Sequence, residues 1–459
     1  MRAIIAVLGL SLLLTPDKSA AAPLQAKQSA SPTTASTPNS DIPKYTGPGS
    51  CASPSCHGAV QSRIETSVQQ NEYSTWVVKD KHARAFSVLS GDVAKRMTRL
   101  MGLLSPDKEP RCLACHSLNA PDDQRARTFD ASDGVSCESC HGPASNWLGP
   151  HTTRGWTHEK SVALGMKDLR DPAHRAENCL TCHLGTKEKS VDHELIAAGH
   201  PDLYFELASF SAAMPKHWQE AGDKPNAAPN PGFDVRVLAV GQAVQLRDQL
   251  QRIGRNAQGG TWPEFSDLEC FACHHSLTNA ESSWQQQRGY ASAPGMERRP
   301  GNPPWNTARY VVLRQLANEV DPNSARQLEA EMNRLYTLIS SLSADRTQVA
   351  ALANSTSNLV DQLVPKLNAA SYDSAQTLRT LKAIVNDADY ISRQGERPAE
   401  QSVMAVQSLY KSYSATAKPP HDAEIQQVIS GLFQQLENPS AYNAFKFADQ
   451  LKGLARLLP

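Results

Sequence analysis

The sequence has no excess of either charge, because 46 lysines and arginines balance 46 aspartates and glutamates. Proteins that bind nucleic acid or an anionic membrane through a general electrostatic field carry a net positive charge, so the composition argues against both classes of partner. The polar and apolar alternation of half-buried strands is also nearly absent. The fold is therefore predicted to be mainly α, and any docking surface must be local.

Long apolar runs are also scarce, and the clearest one lies at the start of the chain. Met1-Arg2 precedes an apolar stretch from Ile4 to Leu14 and a cluster of small residues from Ser19 to Ala22. This order is typical of a secretory signal, and the run is too short to cross a membrane. We expect a signal peptide over residues 1–22, a flexible linker over 23–44, a periplasmic mature protein and no transmembrane segment.

No cysteine lies outside five short motifs, in each of which a cysteine pair is followed directly by histidine. The motifs are Cys51, Cys56, His57; Cys112, Cys115, His116; Cys137, Cys140, His141; Cys179, Cys182, His183; and Cys270, Cys273, His274. Cys-x-x-Cys-His is the attachment signature of c-type haem, in which two thioethers hold the porphyrin and the adjoining imidazole binds iron. The sequence predicts five haem c groups, with the ten cysteines as tethers and the five histidines as iron ligands.

Other uses of paired cysteines explain the pattern less well. Structural zinc and disulfide frameworks do not require histidine after every second cysteine, and thioredoxin-like chemistry needs a single pair. The first motif departs from the signature, since four residues separate Cys51 from Cys56. For this motif a local disulfide, with His57 at the surface, remains an alternative.

Nine further histidines compete for the second axial position of each iron: His82, His151, His158, His174, His193, His200, His217, His275 and His421. We expect His82, His151, His193 and His200 to be the distal ligands. His82 precedes Phe86 by one helical turn, His151 lies in a Gly-Pro turn, and apolar residues separate His193 from His200. His217 is the next candidate for a distal ligand, and the other histidines are expected to point elsewhere or to lie at the surface.

The two parts of the chain differ in character. All five motifs fall within residues 51–274, whereas residues 305–459 contain no cysteine and one histidine. We expect a loop-rich multihaem cytochrome c domain over residues 45–304 and an α-helical bundle over 305–459. The bundle is interpreted as a structural appendage, a cap on the haem domain or a surface for homo-oligomer formation.

Helical periodicity marks several segments. In the first part these are Arg63 to Val78, Lys81 to Met101 and Val235 to Ile253, and in the second part a stripe from Leu328 to Leu342 and the segments 347–363, 373–390, 399–414, 421–437 and 440–457.

With these residues placed, the chain resembles the cytochrome c554-like family of multihaem cytochromes, which is related in haem packing to hydroxylamine oxidoreductase and the pentahaem nitrite reductases. The matching segments are Ser50 to Gly58, Asn71 to Trp76, Lys81 to Ala83, Gly134 to Pro143, Gly149 to His151, Cys179 to His183 and Ala198 to Pro201. The resemblance implies closely spaced haems, mainly with two histidine ligands, that pass electrons in the periplasm. The chain departs from nitrite reductases because all five motifs end in histidine rather than lysine.

Two functions remain open from the sequence. The first is an electron carrier that exchanges electrons with periplasmic or membrane-bound donor and acceptor proteins. The segment from Lys79 to Arg111 contains eight basic residues and four acidic ones, which indicates either a docking surface or a solvated helix face. The second is a haem redox enzyme that acts on a small nitrogen or sulfur compound at one open iron, because four expected distal histidines serve five haems.

Overall fold

Helices account for nearly all the regular structure in residues 42–63, 68–220, 230–274, 302–341 and 343–459, which are the residues that the computed structural model describes. The prediction of a mainly α fold is confirmed. In these residues the β-type pairings are two isolated bridges, Tyr45 with Arg125 and Leu268 with Trp305. The predicted signal peptide, most of the predicted linker and His275 lie outside the described residues.

The first part of the chain consists of short helices joined by loops. The α-helices are α1 Glu72–Lys79, α2 Asp92–Leu100, α3 Pro110–His116, α4 Cys137–His141, α5 His158–Ala163, α6 Pro172–His183, α7 His193–Ala197, α8 Leu207–Ala213 and α9 Pro231–Gly259. Turns of 3-10 helix occupy Pro48–Cys51, Lys81–Arg84, Ser87–Ser90, Asp122–Gln124, Ala131–Asp133, Pro150–Thr152, Phe265–Asp267 and Cys270–Ala272.

Helix is less continuous in this part than the periodicity predicts. The segment from Lys81 to Met101 is not one helix but two 3-10 turns followed by α2. The Asp80 side chain accepts the backbone N–H of His82, and Gly91 is extended with φ −73° and ψ 158°. Asp80 therefore caps the first 3-10 turn, and the extended backbone at Gly91 ends the second turn before α2 begins at Asp92.

The second part is built from longer helices. They are α10 Ala308–Val311, α11 Leu313–Val320, α12 Pro322–Ile339, α13 Arg346–Ala369, α14 Ser374–Asn386, α15 Ala388–Gln394, α16 Glu396–Ala417, α17 Asp422–Gln434 and α18 Ala444–Leu457, with a 3-10 turn at Pro439–Ala441. Aspartate side chains cap α12, α13 and α14, because Asp321, Asp345 and Asp373 each accept backbone N–H groups of the first turn.

Helix α9 joins the two parts through the main hydrophobic core. Its buried residues include Leu238, Val244, Leu246 and Leu250, none of which is exposed to solvent. It packs most extensively along α13 and also contacts α6, α8 and α16. Residues Pro43–Pro459 accordingly form one compact unit by their contacts. The predicted boundary after residue 304 stays a prediction.

We expect Gly241→Ala to lower the free energy of unfolding by about 1–3 kcal/mol through overpacking. A Cβ added at Gly241 in α9 would lie 2.6 Å from the Cβ of Leu207. Gly259→Ala in the same helix is the matched control, since a Cβ there meets nothing within 4 Å. That change should be neutral or stabilise by up to about 1 kcal/mol. Denaturant titrations measure both variants, and equal stabilities would contradict this packing.

Candidate functional site

Four of the five cysteine-pair motifs lie at the end of a helical segment, whereas the first begins at the last residue of the 3-10 turn Pro48–Cys51. His116, His141 and His183 are the last residues of α3, α4 and α6. In the fifth motif, His274 follows the 3-10 turn, and its N–H bonds the carbonyl oxygen of Cys270 at 2.8 Å. Residues three and four apart share one helical face, so the two thiols and the imidazole of a motif lie close together.

The longer first motif keeps the same relation between its first cysteine and its histidine. The N–H of His57 bonds the carbonyl oxygen of Cys51 at 3.2 Å, as in the fifth motif. The two extra residues form a turn in which the Ser53 carbonyl accepts the N–H groups of Cys56 and Gly58, at 2.8 and 2.9 Å. Both thiols are free. This geometry fits a haem attachment like that of the fifth motif, and the choice between haem and a local disulfide stays a prediction.

Four motif histidines each lie opposite one histidine that we expected as a distal ligand. The ring centroids are 6.2 Å apart for His57 and His151, 6.4 Å for His116 and His200, 6.3 Å for His183 and His82, and 6.1 Å for His274 and His193. The partners of a pair come from distant parts of the sequence, yet the four separations lie within 0.3 Å of one another.

These separations fit a metal ion held between two imidazoles. A metal–nitrogen bond is about 2 Å long and a ring centroid lies roughly 1 Å beyond its nitrogen, so two rings on opposite sides of one ion stand about 6 Å apart. Together with two thiols beside one ring of each pair, this arrangement suits a covalently tethered haem iron with two axial histidines. The residues of the four pairs therefore fit haem c.

Backbone hydrogen bonds fix the tautomer of three of these rings. The Nδ1 atoms of His116, His151 and His200 bond the carbonyl oxygens of Ala85 at 2.8 Å, Leu148 at 2.5 Å and Pro201 at 2.7 Å. Since a carbonyl oxygen only accepts, the proton of each neutral ring is on Nδ1. The Nε2 lone pair is then available for a metal, and the bond holds the ring in place.

Two other rings are held by carboxylates, which the sequence analysis missed. Nδ1 of His57 lies 3.0 Å from Glu72, and Nδ1 of His82 lies 2.9 Å from Asp80. These hydrogen bonds raise the pKa of both histidines. A carboxylate behind a metal-binding imidazole orients the ring and increases its basicity. In the sequence, only the position of Asp80 two residues before His82 indicates that this carboxylate could contact the ring.

Burial keeps His183 neutral. Its ring stacks on Phe205 at 4.9 Å and meets the edge of Phe210 at 5.4 Å. Burial in this apolar setting lowers its pKa to about 4. Only a neutral imidazole can bind iron, so the environment favours the ligand form at physiological pH.

His141 differs from the other four motif histidines. Among the described residues, no second imidazole stands opposite it at the separation found in the four pairs. Burial lowers its pKa to about 4, and the nearby His217 also acts to lower this pKa. Nδ1 of His217 is 3.3 Å from the carbonyl oxygen of Pro215. The third motif is therefore the one for which the structure supplies no ring pair.

The remaining described histidines have other surroundings. Nε2 of His158 lies 3.0 Å from Asp168, so the nitrogen that would face a metal is already occupied. Its side chain is 18% exposed, which is more buried than we expected for a surface residue. His174 is exposed, and the side chain of His421 is half exposed near Glu424.

The thiols bring different motifs into contact. Cys51 of the first motif and Cys137 of the third are close enough to shift each other's pKa, and so are Cys115 of the second and Cys182 of the fourth. All ten cysteines are free. In the described parts of the chain, His, Cys, Asp and Glu side chains do not converge in groups of three or more that could hold a metal ion by themselves.

A buried carboxylate ties the first and third motifs together. Glu138, which is 1% exposed, lies between the two cysteines of the third motif. It accepts the N–H groups of Thr46 at 2.8 Å, Gly47 at 2.7 Å and Ala144 at 2.8 Å. The segment that leads into the first motif is thereby fixed against α4.

Comparison with known proteins agrees with this geometry. Residues 50–142 match the family described as "Cytochrome c554 and c-prime". The matched region is cytochrome c554-like. It contains the first three motifs and His82. A segment of 114 residues is also 32% identical to Cytochrome c-554 from Nitrosomonas europaea.

That alignment covers 22% of this chain and 48% of the relative, so the cytochrome c554-like match spans about half of the relative's length. No solved structure matches the chain significantly. The relationship to hydroxylamine oxidoreductase and the nitrite reductases stays a prediction. Within the described ranges, none of the helices combines the length and the apolar character that crossing a bilayer requires.

Proposed function

We propose that the protein is a periplasmic multihaem c-type cytochrome that carries electrons, with haem c attached at all five motifs. The observation that carries this proposal is the set of four imidazole pairs at 6.1–6.4 Å, each combining one motif histidine with one distal histidine. The likeness of residues 50–142 to cytochrome c554 supports the same conclusion.

In this proposal each pair holds one iron. His57 and His151 serve the first motif, His116 and His200 the second, His183 and His82 the fourth, and His274 and His193 the fifth. When bound, haem supplies an iron that alternates between Fe(II) and Fe(III). The protein contributes two imidazoles to each pair, and Nδ1 bonds to carbonyls or carboxylates hold five of the eight rings, those of His57, His82, His116, His151 and His200, in one orientation. Little rearrangement is then needed when the charge changes.

The proximity of the attachment points supports transfer between sites. The first and third motifs meet at Cys51 and Cys137, and the second and fourth meet at Cys115 and Cys182. Groups tethered at these thiols lie side by side, so the polypeptide brings successive redox sites together rather than insulating them. Its role is to set their spacing and environment.

Redox donor and acceptor proteins are the partners that this function requires. The segment from Lys79 to Arg111 supports a local basic docking surface, because two of its four acids are turned inward. Asp80 bonds His82, and Glu109 is 6% exposed and accepts the N–H of Arg111. The solvent-facing charge of the segment is accordingly more positive than its sequence indicates.

A second candidate function is supported by the third motif. His141 lacks the ring pair found at the other four motifs in the described residues, so an iron bound there has one protein face without an imidazole. An open iron position permits binding of a small nitrogen or sulfur compound. Outside the motifs, His217 has the largest charge effect on the pKa of His141, and Lys167 has the largest charge effect on the pKa of Cys140.

Voltammetry with carbon monoxide as a probe separates the two functions. For an electron carrier we expect reversible reduction of the haem-loaded protein, with no catalytic current on addition of nitrite, hydroxylamine or sulfite. For the enzyme we expect carbon monoxide to change the spectrum of one reduced haem, together with a catalytic current. A catalytic current would contradict the carrier proposal, and the absence of any carbon monoxide response would eliminate the enzyme.

A further inference from the structure

A small polar cavity lies beside the fifth motif and is lined by three arginines, Arg252, Arg309 and Arg397. It is close to several proposed haem sites. Nη2 of Arg397 is 3.2 Å from the Cys270 sulfur, and the lining residue Leu184 directly follows a motif histidine. No part of the electron-transfer proposal accounts for this concentration of guanidinium groups.

Carboxylates neutralise two of the three arginines. Arg252 pairs with Asp267, and Arg397 pairs with Asp202. Glu269 and Glu396 also act on Arg397. Arg309 is different, since none of the described carboxylates forms an ion pair with it, although Asp202 and Asp267 influence it from farther away. Arg309 is therefore the one arginine of this cavity that has no ion-pair partner among the described residues.

Arg309 is deeply buried, which makes the lack of an ion-pair partner unfavourable. Its residue is 7% exposed, and its Nε has no hydrogen-bond partner. Burial, followed by repulsion from Arg252, lowers its pKa to about 10, so it remains charged at neutral pH. A buried ion without a partner is strongly unfavourable, and such groups normally face a counter-ion.

The lining offers donors that suit an anion. The oxygen of the Asn306 side chain accepts the N–H of Ala308 at 3.0 Å, which leaves the amide NH₂ of Asn306 as its remaining polar group. Guanidinium groups present forked pairs of N–H donors that match two oxygens of a carboxylate or oxyanion.

We propose that the cavity around Arg309 binds a negatively charged oxygen group, either a carboxylate of a neighbouring haem or a free small oxyanion. The first source rests on the proposed function, whereas the second does not. The first part of the chain contributes most of the lining, and Asn306, Arg309 and Arg397 come from the second part.

The proposal gives that second part a role at the fifth motif. Asn306 donates its N–H to the Asp267 carbonyl, and Glu269 donates to the Pro304 carbonyl, each at 2.9 Å. These bonds anchor the start of the second part beside the motif. The C-terminal helices then complete a charged site rather than forming an unrelated appendage.

Arg309→Gln in the haem-loaded full-length protein tests the site, with Arg314→Gln as the matched control. Arg314 is a partly buried arginine that is paired with Asp387 and Glu329 away from the cavity. The haem count of the wild type is measured first, because a haem-free wild type would defeat the proposed function without deciding this site. Redox potentials and thermal midpoints are then recorded with and without sodium sulfate.

A haem carboxylate predicts that Arg309→Gln changes the reduction equilibrium of at least one haem about tenfold, or about 59 mV, regardless of sulfate. A free oxyanion predicts a saturable rise of the wild-type thermal midpoint with sulfate, lost in Arg309→Gln. If neither effect occurs, or if Arg314→Gln reproduces both, the proposal is wrong. Should Arg309→Gln not fold, Arg309→Lys decides: a smaller change in the same direction supports the site, and wild-type values contradict it.

Discussion

Replacing His82 with alanine is expected to convert one low-spin haem to high spin, and the reduced haem should then bind carbon monoxide. The ring of His82 stands 6.3 Å from that of His183, and Asp80 holds it there through Nδ1. Without it, one axial position of that iron loses its nitrogen ligand. Loss of a donor to Fe(III) should also shift the reduction equilibrium toward Fe(II) by more than tenfold, which is more than about 59 mV.

His158→Ala is the control for this experiment, because Nε2 of His158 already bonds Asp168. Electron paramagnetic resonance of the oxidised protein counts the high-spin haems, and the carbon monoxide difference spectrum counts the reactive ones. His151→Ala, His193→Ala and His200→Ala should each produce the same change at a different haem. A His82→Ala spectrum identical to that of His158→Ala would show that His82 is not an iron ligand.

Replacing both Cys51 and Cys56 with serine is expected to reduce the covalently bound haem from five groups to four. The first motif keeps the bond from the His57 N–H to the Cys51 carbonyl despite its longer loop, so its thiols are placed as tethers. Serine cannot form a thioether, and without that bond the haem is removed by denaturation. Haemochrome absorbance per polypeptide measures the change.

Ser55→Ala in the same loop is the matched control and should retain five haems. Its hydroxyl contacts Ser53 and Cys56 within the loop but offers no sulfur. If the double serine variant and the control carry the same amount of haem, the first motif is not an attachment site. The local disulfide considered from the sequence would then be the better interpretation.

Periodicity predicted the helices of the second part well, because burial on one face determines them. The segment 347–363 lies within Arg346–Ala369, and the segment 399–414 lies within Glu396–Ala417. The ends were less predictable, since they depend on caps such as Asp345. In the first part, where little apolar surface drives helix formation, the extended Gly91 interrupts a segment that periodicity assigned to one helix.

In the candidate site, too, local sequence patterns were predictable, whereas contacts between distant residues were not. The five motifs are local in sequence and were read directly. The four expected distal histidines could be ranked from their neighbours, but their pairing depends on contacts such as His82 with His183, which only the fold brings together. Glu72 was missed because its hydrogen bond to His57 closes a loop that no short pattern marks. The ring without a pair, His141, could not be identified from the sequence for the same reason.

Intact mass spectrometry of the exported protein under denaturing conditions tests the central claim most directly. The account predicts a mass that exceeds that of the mature polypeptide by five haem groups, because thioether bonds survive denaturation. A mass equal to that of the polypeptide alone would contradict the attachment of haem at these cysteines, and with it the proposed electron transfer.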